Sequence, residues 1–251
     1  MKAVILAAGK GTRMRDLTNE VPKPMLKVEG KPILQHIIEG LVSAGINRIC
    51  LITGYRAESI EAYFQDGAKW NSTISYVRQT VQDGTGKAPE LARSFVAGDP
   101  FLLSYGDILV LPDTYKKMLA RFFNGDFAGL ITVTPGQDVS KGGINFFDEQ
   151  FTLRKVVEKP TPGQIADFQR MGWMKSGSPV WYNAGIYIFQ SSLFDFTANL
   201  SKSIRGEYEL PDAVNTMVEA SHRIAGLEIA GRWVDVRDPE VLAALQTTAE
   251  P

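Results

Sequence analysis

Four short segments hold residues whose types and spacing could handle phosphate. The first is Ala7-Ala8-Gly9-Lys10-Gly11-Thr12-Arg13, directly after an apolar run. Small residues let backbone N–H groups approach phosphate oxygens, and glycines reach the positive φ that an anion nest requires. Arg13 adds a planar fork that matches phosphate. Lys23 follows, held between Pro22 and Pro24. Taken alone, the Gly-x-Gly reads better as a strand–helix turn with surface cations. Two nucleotide motifs are excluded. A dinucleotide fingerprint needs a third small residue where Met14 stands. A Walker loop needs glycine at Val81 and Ser or Thr at Ala88.

The second segment is Gln79-Thr80-Val81-Gln82-Asp83-Gly84-Thr85-Gly86-Lys87. A glutamine amide pairs with a donor–acceptor base edge, and a glycine backbone packs beside a base; alone, this is an ordinary polar loop. The third is Ser104-Tyr105-Gly106-Asp107 at the end of an apolar strand. Asp107 could cap the next segment or ligate Mg²⁺, which takes one or two carboxylates together with substrate phosphates. The second carboxylate would be Asp235 in Trp233-Val234-Asp235-Val236, which reads equally as a turn residue. The fourth is Val156-Val157-Glu158-Lys159-Pro160. Neighbours on a strand face opposite ways unless the chain bends, and Pro160 makes a bend reasonable. Glu158 could then bind sugar hydroxyls and Lys159 a phosphate; alone, they read as a solvated edge pair.

The elements that must position these segments follow from apolar patterning. The fully apolar run at 3–6 reads as a strand, and so do 48–53, 74–79 and 101–105. Helical periodicity marks 32–44, ended by Gly45, then 58–64 and 88–96. Alternating strands and helices imply a parallel sheet with helices on both faces, so ligands belong just beyond the carboxyl ends of strands. From about Phe127 strands dominate, at 127–133, 144–147 and 151–157. Residues 161–179 read as an irregular lid or insertion, 184–189 as a strand and 239–245 as a short helix.

The chain has 251 residues, 44% of them apolar, enough for one large domain. Basic and acidic residues nearly cancel, 27 against 28, so no charge excess points to nucleic acid. Cys50 is the single cysteine, within Ile49-Cys50-Leu51-Ile52, and reads as a core thiol. His36 and His222 form no familiar zinc spacing with it. No apolar stretch approaches the roughly 20 residues that span a bilayer. Met1 to Leu6 lacks a signal-peptide layout. A cytoplasmic location is expected.

Together the segments resemble the sugar-phosphate nucleotidyltransferases, which include glucose-1-phosphate thymidylyl-, uridylyl- and cytidylyltransferases. The signature is LAAGKGTRMRDLTNEVPKPML, from Leu6 to Leu26, followed in order by SYGD, VVEKP, YNAG and WVDV. The resemblance implies an α/β fold: a Rossmann-like, mostly parallel sheet flanked by helices, with a smaller sugar-binding lobe of the GT-A kind. It implies one domain over 1–251, with a nucleotide-binding half at 1–126 and a sugar-phosphate half at 127–240. It assigns Leu6, Ala7, Ala8, Gly9, Gly11, Thr12, Arg13, Gln79, Gly84 and Thr85 to the NTP. It assigns Asp107 and Asp235 to Mg²⁺, and Gly143, Glu158, Lys159 and Asn183 to the sugar phosphate. Arg13, Lys23 and Lys159 become the catalytic cations.

The chemistry implied is transfer of a nucleoside monophosphate from an NTP, UTP or dTTP favoured, to a sugar 1-phosphate. A phosphate oxygen is already nucleophilic at neutral pH, so catalysis is positioning and charge neutralisation around an in-line displacement. The sequence departs from its relatives at Asp16, at Gly86-Lys87 and at Asp238. Lys87 could alter nucleotide preference or bind phosphate. The chain ends without the C-terminal β-helix of some relatives, which argues against a bifunctional enzyme. Alternatives are a CTP- or GTP-using relative, an acceptor such as phosphocholine, and a silent nucleotide-sugar-binding paralogue. A homo-oligomer is possible; no nucleic-acid or membrane partner is expected. Trp173, Trp181 and Tyr182 could stack on a sugar or fill core.

Overall fold

β1 (Lys2–Ala7) is apolar on both faces, and both are covered. Ala3, Ile5 and Ala7 enter one core cluster, and Val4 enters a second. A strand buried twice over belongs inside a sheet with helices on each side. The computed structural model describes residues 1–247. Next come β2 (Lys27–Val28) and β3 (Lys31–Pro32), a small hairpin. Its turn residues Glu29 and Gly30 both take positive φ, as a type I′ turn requires. α1 (Ile33–Ser43) buries Ile33, Leu34, Ile37, Ile38 and Leu41 on one face.

β4 (Arg48–Thr53), α2 (Ala57–Phe64) and β5 (Thr73–Arg78) lie where the pattern puts them. The helix expected over 88–96 is split. Ala88–Ala92 forms tight 3-10 turns with Pro89 at their start, and α3 (Arg93–Val96) follows. β6 (Phe101–Tyr105), β7 (Ile108–Val110) and α4 (Asp113–Phe123) complete the first half. β8 (Gly129–Thr134), β9 (Gly143–Phe147) and β10 (Leu153–Glu158) match the expected strands.

The segment expected to be irregular opens instead with α5 (Pro162–Arg170). The signal lies in three residues: Thr161 and Gln164 form a reciprocal capping box, and Pro162 occupies the first turn. β11 (Trp181–Phe189) begins earlier than the apolar run suggests. α6 (Leu193–Thr197), α7 (Leu210–Glu219), β12 (Ile224–Glu228), β13 (Trp233–Asp235) and α8 (Pro239–Thr247) follow. Helices α4 and α7 are not among the elements foreseen from the sequence. Each buries one apolar face, through Tyr115, Met118 and Phe122 in α4 and Leu210, Val214 and Met217 in α7.

The main sheet runs β10-β9-β11-β6-β1-β4-β5, with β8 paired to β11 and β12 to β8. β1, β4, β5 and β6 pair in parallel. β11 and β10 run against the other strands, so the sheet is mixed but mostly of one direction. α1, α2, α4 and α8 supply the core on one face; α3, α6 and α7 supply the other. β5, β4 and β1 wind one way and β6 lies on the far side of β1. The winding reverses between β1 and β6, and such a reversal opens a crevice beyond the strand ends. Among the described residues, no helix is long and apolar enough to cross a membrane.

Candidate functional site

A cleft of about 610 Å³ opens at that reversal. Its near wall carries Leu6, Ala7, Ala8, Gly9, Gly11 and Arg13 from the end of β1 and the loop after it. Gly11 takes φ 67, and a Cβ there would lie 2.8 Å from the Cβ of Lys23. The glycine thus gives the turn its shape and the lysine its space. Thr12 does not join the lining; it is exposed and starts a 3-10 turn, Thr12–Thr18. Lys23 is buried in the turn between its two prolines. Its ammonium donates to Asp107 Oδ2 at 2.5 Å.

Asp107 and Asp235 are brought together by a two-stranded ribbon. β7 pairs with β13, with Ile108 opposite Asp235, and Val236 N donates to Asp107 O at 3.0 Å. Burial, and then the negative charge of Asp107, push the Asp235 carboxyl up to about 6; Lys23, Arg237 and Arg13 pull it back. Two hard oxygen donors that repel one another fit a divalent ion such as Mg²⁺. Among the described residues, no three His, Cys, Asp or Glu side chains cluster to hold a metal. An ion here would complete its shell from phosphate and water.

The far wall comes from strand ends of the second half. Glu158 ends β10 opposite Gly143, and a Cβ on Gly143 would meet Glu158 Oε2 at 3.1 Å and Asn183 Cβ at 3.3 Å. The bend that turns Glu158 and Lys159 into one cleft lies at Lys159 itself, with φ 43. Lys159 N donates to Gly142 O at 3.1 Å. Asn183 sits where β11 changes register, just before Gly185 at φ 79. Its Oδ1 accepts from Tyr187 Oη at 2.9 Å and from Gly185 N at 3.2 Å, so the amide NH₂ remains to donate. Burial raises the Glu158 carboxyl, an effect opposed by Arg205 and Lys159.

Gln79, Gly84 and Thr85 line the top of the cleft. Gly84, at φ 120, is also pressed against the Tyr208 backbone: a Cβ would lie 2.7 Å from Tyr208 N. Its missing side chain therefore serves chain packing as well as any ligand.

Sequence reasoning missed several lining residues. Gln82 Nε2 donates to Ala8 O at 2.8 Å, joining the Gln79–Thr85 stretch to the loop after β1. Lys141, Glu207, Glu209 and Arg205 also face the cleft. Arg205 donates to Glu209 Oε1 at 2.7 Å and lies 3.8 Å from Glu158 Oε1. They come from polar loops without local pattern; the alternation of charge in Arg205-Gly206-Glu207-Tyr208-Glu209 was the available signal. Lys87 is not in the lining. Tyr182 is, whereas Trp173 and Trp181 line a separate aromatic groove with Phe146, Phe147 and Phe151. Cys50 is free and buried, as its setting implied.

A nucleotidyl transferase family model matches residues 2–250. The bifunctional protein GlmU of Methanococcus aeolicus is 36% identical over 95% of this chain, which spans 52% of that protein. The chain thus covers about half the length of its GlmU relatives. The UTP–glucose-1-phosphate uridylyltransferase AglF of Haloferax volcanii is 30% identical, over 96% of this chain and 93% of its own. Two solved structures share the fold at 24% identity. One, a Bacillus anthracis protein assigned as a glucose-1-phosphate thymidylyltransferase, gives a TM-score of 0.84 over 99% of this chain and 95% of that one. The other, a UDP-glucose pyrophosphorylase complexed with UDP-glucose, gives 0.82 over 98% and 97%. With its cleft at the β1–β6 reversal and a family match that runs almost end to end, the chain belongs to the nucleotidyl transferase family, among the sugar-phosphate nucleotidyltransferases.

Proposed function

We propose that this chain transfers a nucleoside monophosphate from UTP or dTTP to a sugar 1-phosphate, glucose 1-phosphate or a near relative, and releases pyrophosphate. The observation that carries this reading is one cleft in which Arg13 and Lys23 face Lys159 and Arg205. Two polyanions have to meet, and such a cleft neutralises both. The near end-to-end match to a protein named for UTP and glucose 1-phosphate supports the choice of substrates.

In this reading residues 1–126 hold the nucleotide and 127–240 the sugar phosphate, within one domain. The loop Leu6 to Arg13 takes the triphosphate through backbone N–H groups, with Thr12 shaping the turn behind it. Gln79 offers its amide to the pyrimidine edge, while Gly84 and Thr85 pack alongside. Glu158 and Asn183 hold sugar hydroxyls beside Gly143, and Lys159 and Arg205 hold the sugar's phosphate. Asp107 and Asp235 would hold Mg²⁺, which when bound offsets triphosphate charge. Lys23, tied to Asp107, keeps its ammonium at the cleft floor. Attack by a sugar-phosphate oxygen on the α-phosphorus needs no general base, so these residues act by alignment and charge. A cytoplasmic location accompanies this reading.

The test is pyrophosphate release across ATP, GTP, CTP, UTP and dTTP against several sugar 1-phosphates, with and without EDTA. A metal-dependent signal with UTP or dTTP and a hexose 1-phosphate is expected. Signal only with another base or acceptor would correct the substrates. None anywhere, from folded protein that still binds nucleotide, would favour a binding-only paralogue.

A further inference from the structure

The departure at Lys87 has a structural partner. Residues 198–209 fold back over the Gln79–Lys87 segment and carry Arg205, Glu207 and Glu209 into the cleft. Within that strap, Ser203 N donates to Glu207 O at 2.8 Å, and Ser203 Oγ and Arg205 both donate to Glu209. The strap is thus internally knit around its arginine. It is joined to the base-side loop by Tyr208: Tyr208 N donates to Asp83 O at 2.7 Å, and Gly86 N donates to Tyr208 O at 2.8 Å. Gly86 allows this approach, since a Cβ there would lie 2.9 Å from the Glu209 carbonyl carbon.

The Lys87 side chain runs away from the cleft and along this junction. Its Nζ donates to Ala198 O at 2.7 Å, at the end of α6. It lies 5.5 Å from the centre of the Tyr208 ring and 3.8 Å from Glu90 Oε1, a buried oxygen with no hydrogen-bond donor among the described residues. One ammonium therefore answers a helix-end carbonyl, an aromatic face and one buried oxygen of a carboxylate. None of these groups lines the cleft.

We infer that Lys87 is a positioning residue that fastens the base-side loop to the strap carrying Arg205, so that the nucleotide wall and the sugar-phosphate wall keep a fixed spacing. This rests on the proposed nucleotidyl transfer and deepens it. Because the strap presents Arg205 and not the base contacts, the defect from losing Lys87 falls on the sugar phosphate.

The experiment compares wild type, Lys87→Met, Lys87→Arg and the Lys87→Met/Tyr208→Leu pair. Lys87→Met keeps the aliphatic stem and removes the charge. It should raise KM for the sugar 1-phosphate about tenfold, the scale of one charged hydrogen bond, with KM for the NTP nearly unchanged. Lys87→Arg should restore most of the loss, and the Tyr208→Leu change should add little to Lys87→Met. Amide hydrogen exchange of the ligand-free proteins gives a second readout independent of turnover. Residues 200–209 should exchange faster in Lys87→Met while β1 and β4 stay protected. Equal rises in both KM values, or no change in strap exchange, would overturn the inference. An inactive wild type with strap exchange still dependent on Lys87 would instead defeat the assigned reaction and leave the fastening role standing.

Discussion

Gly11 and Lys23 approach so closely that a methyl group on the glycine would sit 2.8 Å from the lysine Cβ. The pair joins the loop after β1 to the proline-flanked turn, and through Lys23 to Asp107. Gly11→Ala should destabilise the fold by about 1–2 kcal/mol through its left-handed backbone. It should lower kcat by roughly tenfold or more, because the displaced lysine loses alignment. Thermal melting and steady-state rates check both parts. Full turnover in a less stable protein would mean that Lys23 tolerates the shift.

Arg13 stands differently. It is exposed on the cleft wall, with no ion pair to another side chain among the described residues. Arg13→Ala should therefore leave the melting temperature unchanged and cost about 10²–10³ in rate, the scale for losing one preorganised charge donor. Near-full turnover would refute its role.

Asp235 and Asp107 face one another across the ribbon end. Asp235→Asn should raise the Mg²⁺ concentration for half-maximal activity by at least about tenfold, since affinity follows ligand charge. EDTA should abolish wild-type turnover. Titrating Mg²⁺ into both proteins compares them directly; identical curves would remove Asp235 from the metal.

Alkaline stability depends on the opposite side of the sheet. Burial pushes the Cys50 thiol from its ordinary 9.0 up to about 11. Above pH 9 the unfolded chain releases this proton and the folded chain retains it, so stability falls as pH rises. The difference amounts to roughly 3 kcal/mol, all of it lost only above about pH 11, where the folded thiol ionises as well. Tyr76, Tyr105 and Tyr182, pushed up to about 12 by burial, act in the same direction above pH 10. Cys50→Ala should flatten the stability curve between pH 9 and 11 in urea unfolding. Parallel curves would show that the thiol does not contribute.

Much of the near wall was legible because its chemistry is contiguous. Gly9, Gly11, Arg13 and Lys23 lie within one short stretch, and their spacing states which backbone must turn. Asp107 and Asp235 were legible only as strand-end carboxylates; the β7–β13 ribbon that joins them spans half the chain. Arg205 and Gln82 were not legible. Gln82 gains its place through a long-range bond to Ala8, and Arg205, though held locally by Glu209, reaches the cleft only because its loop folds back against Asp83 and Gly86. α5 failed to register because its apolar face is thin, with Phe168 its one buried residue. Its start was written in cap chemistry rather than in hydrophobic period.

β11 changes register after Asn183. Its latter part lies beside β6, and its beginning lies beside β9. The same nine residues thus belong to both sides of the cleft. A fragment cut near residue 126 would leave the flank of β6 as a bare edge, open to pairing with any passing strand. The two walls are therefore inseparable in manufacture as well as in use: neither can be made sound without a segment translated long after the first one is complete.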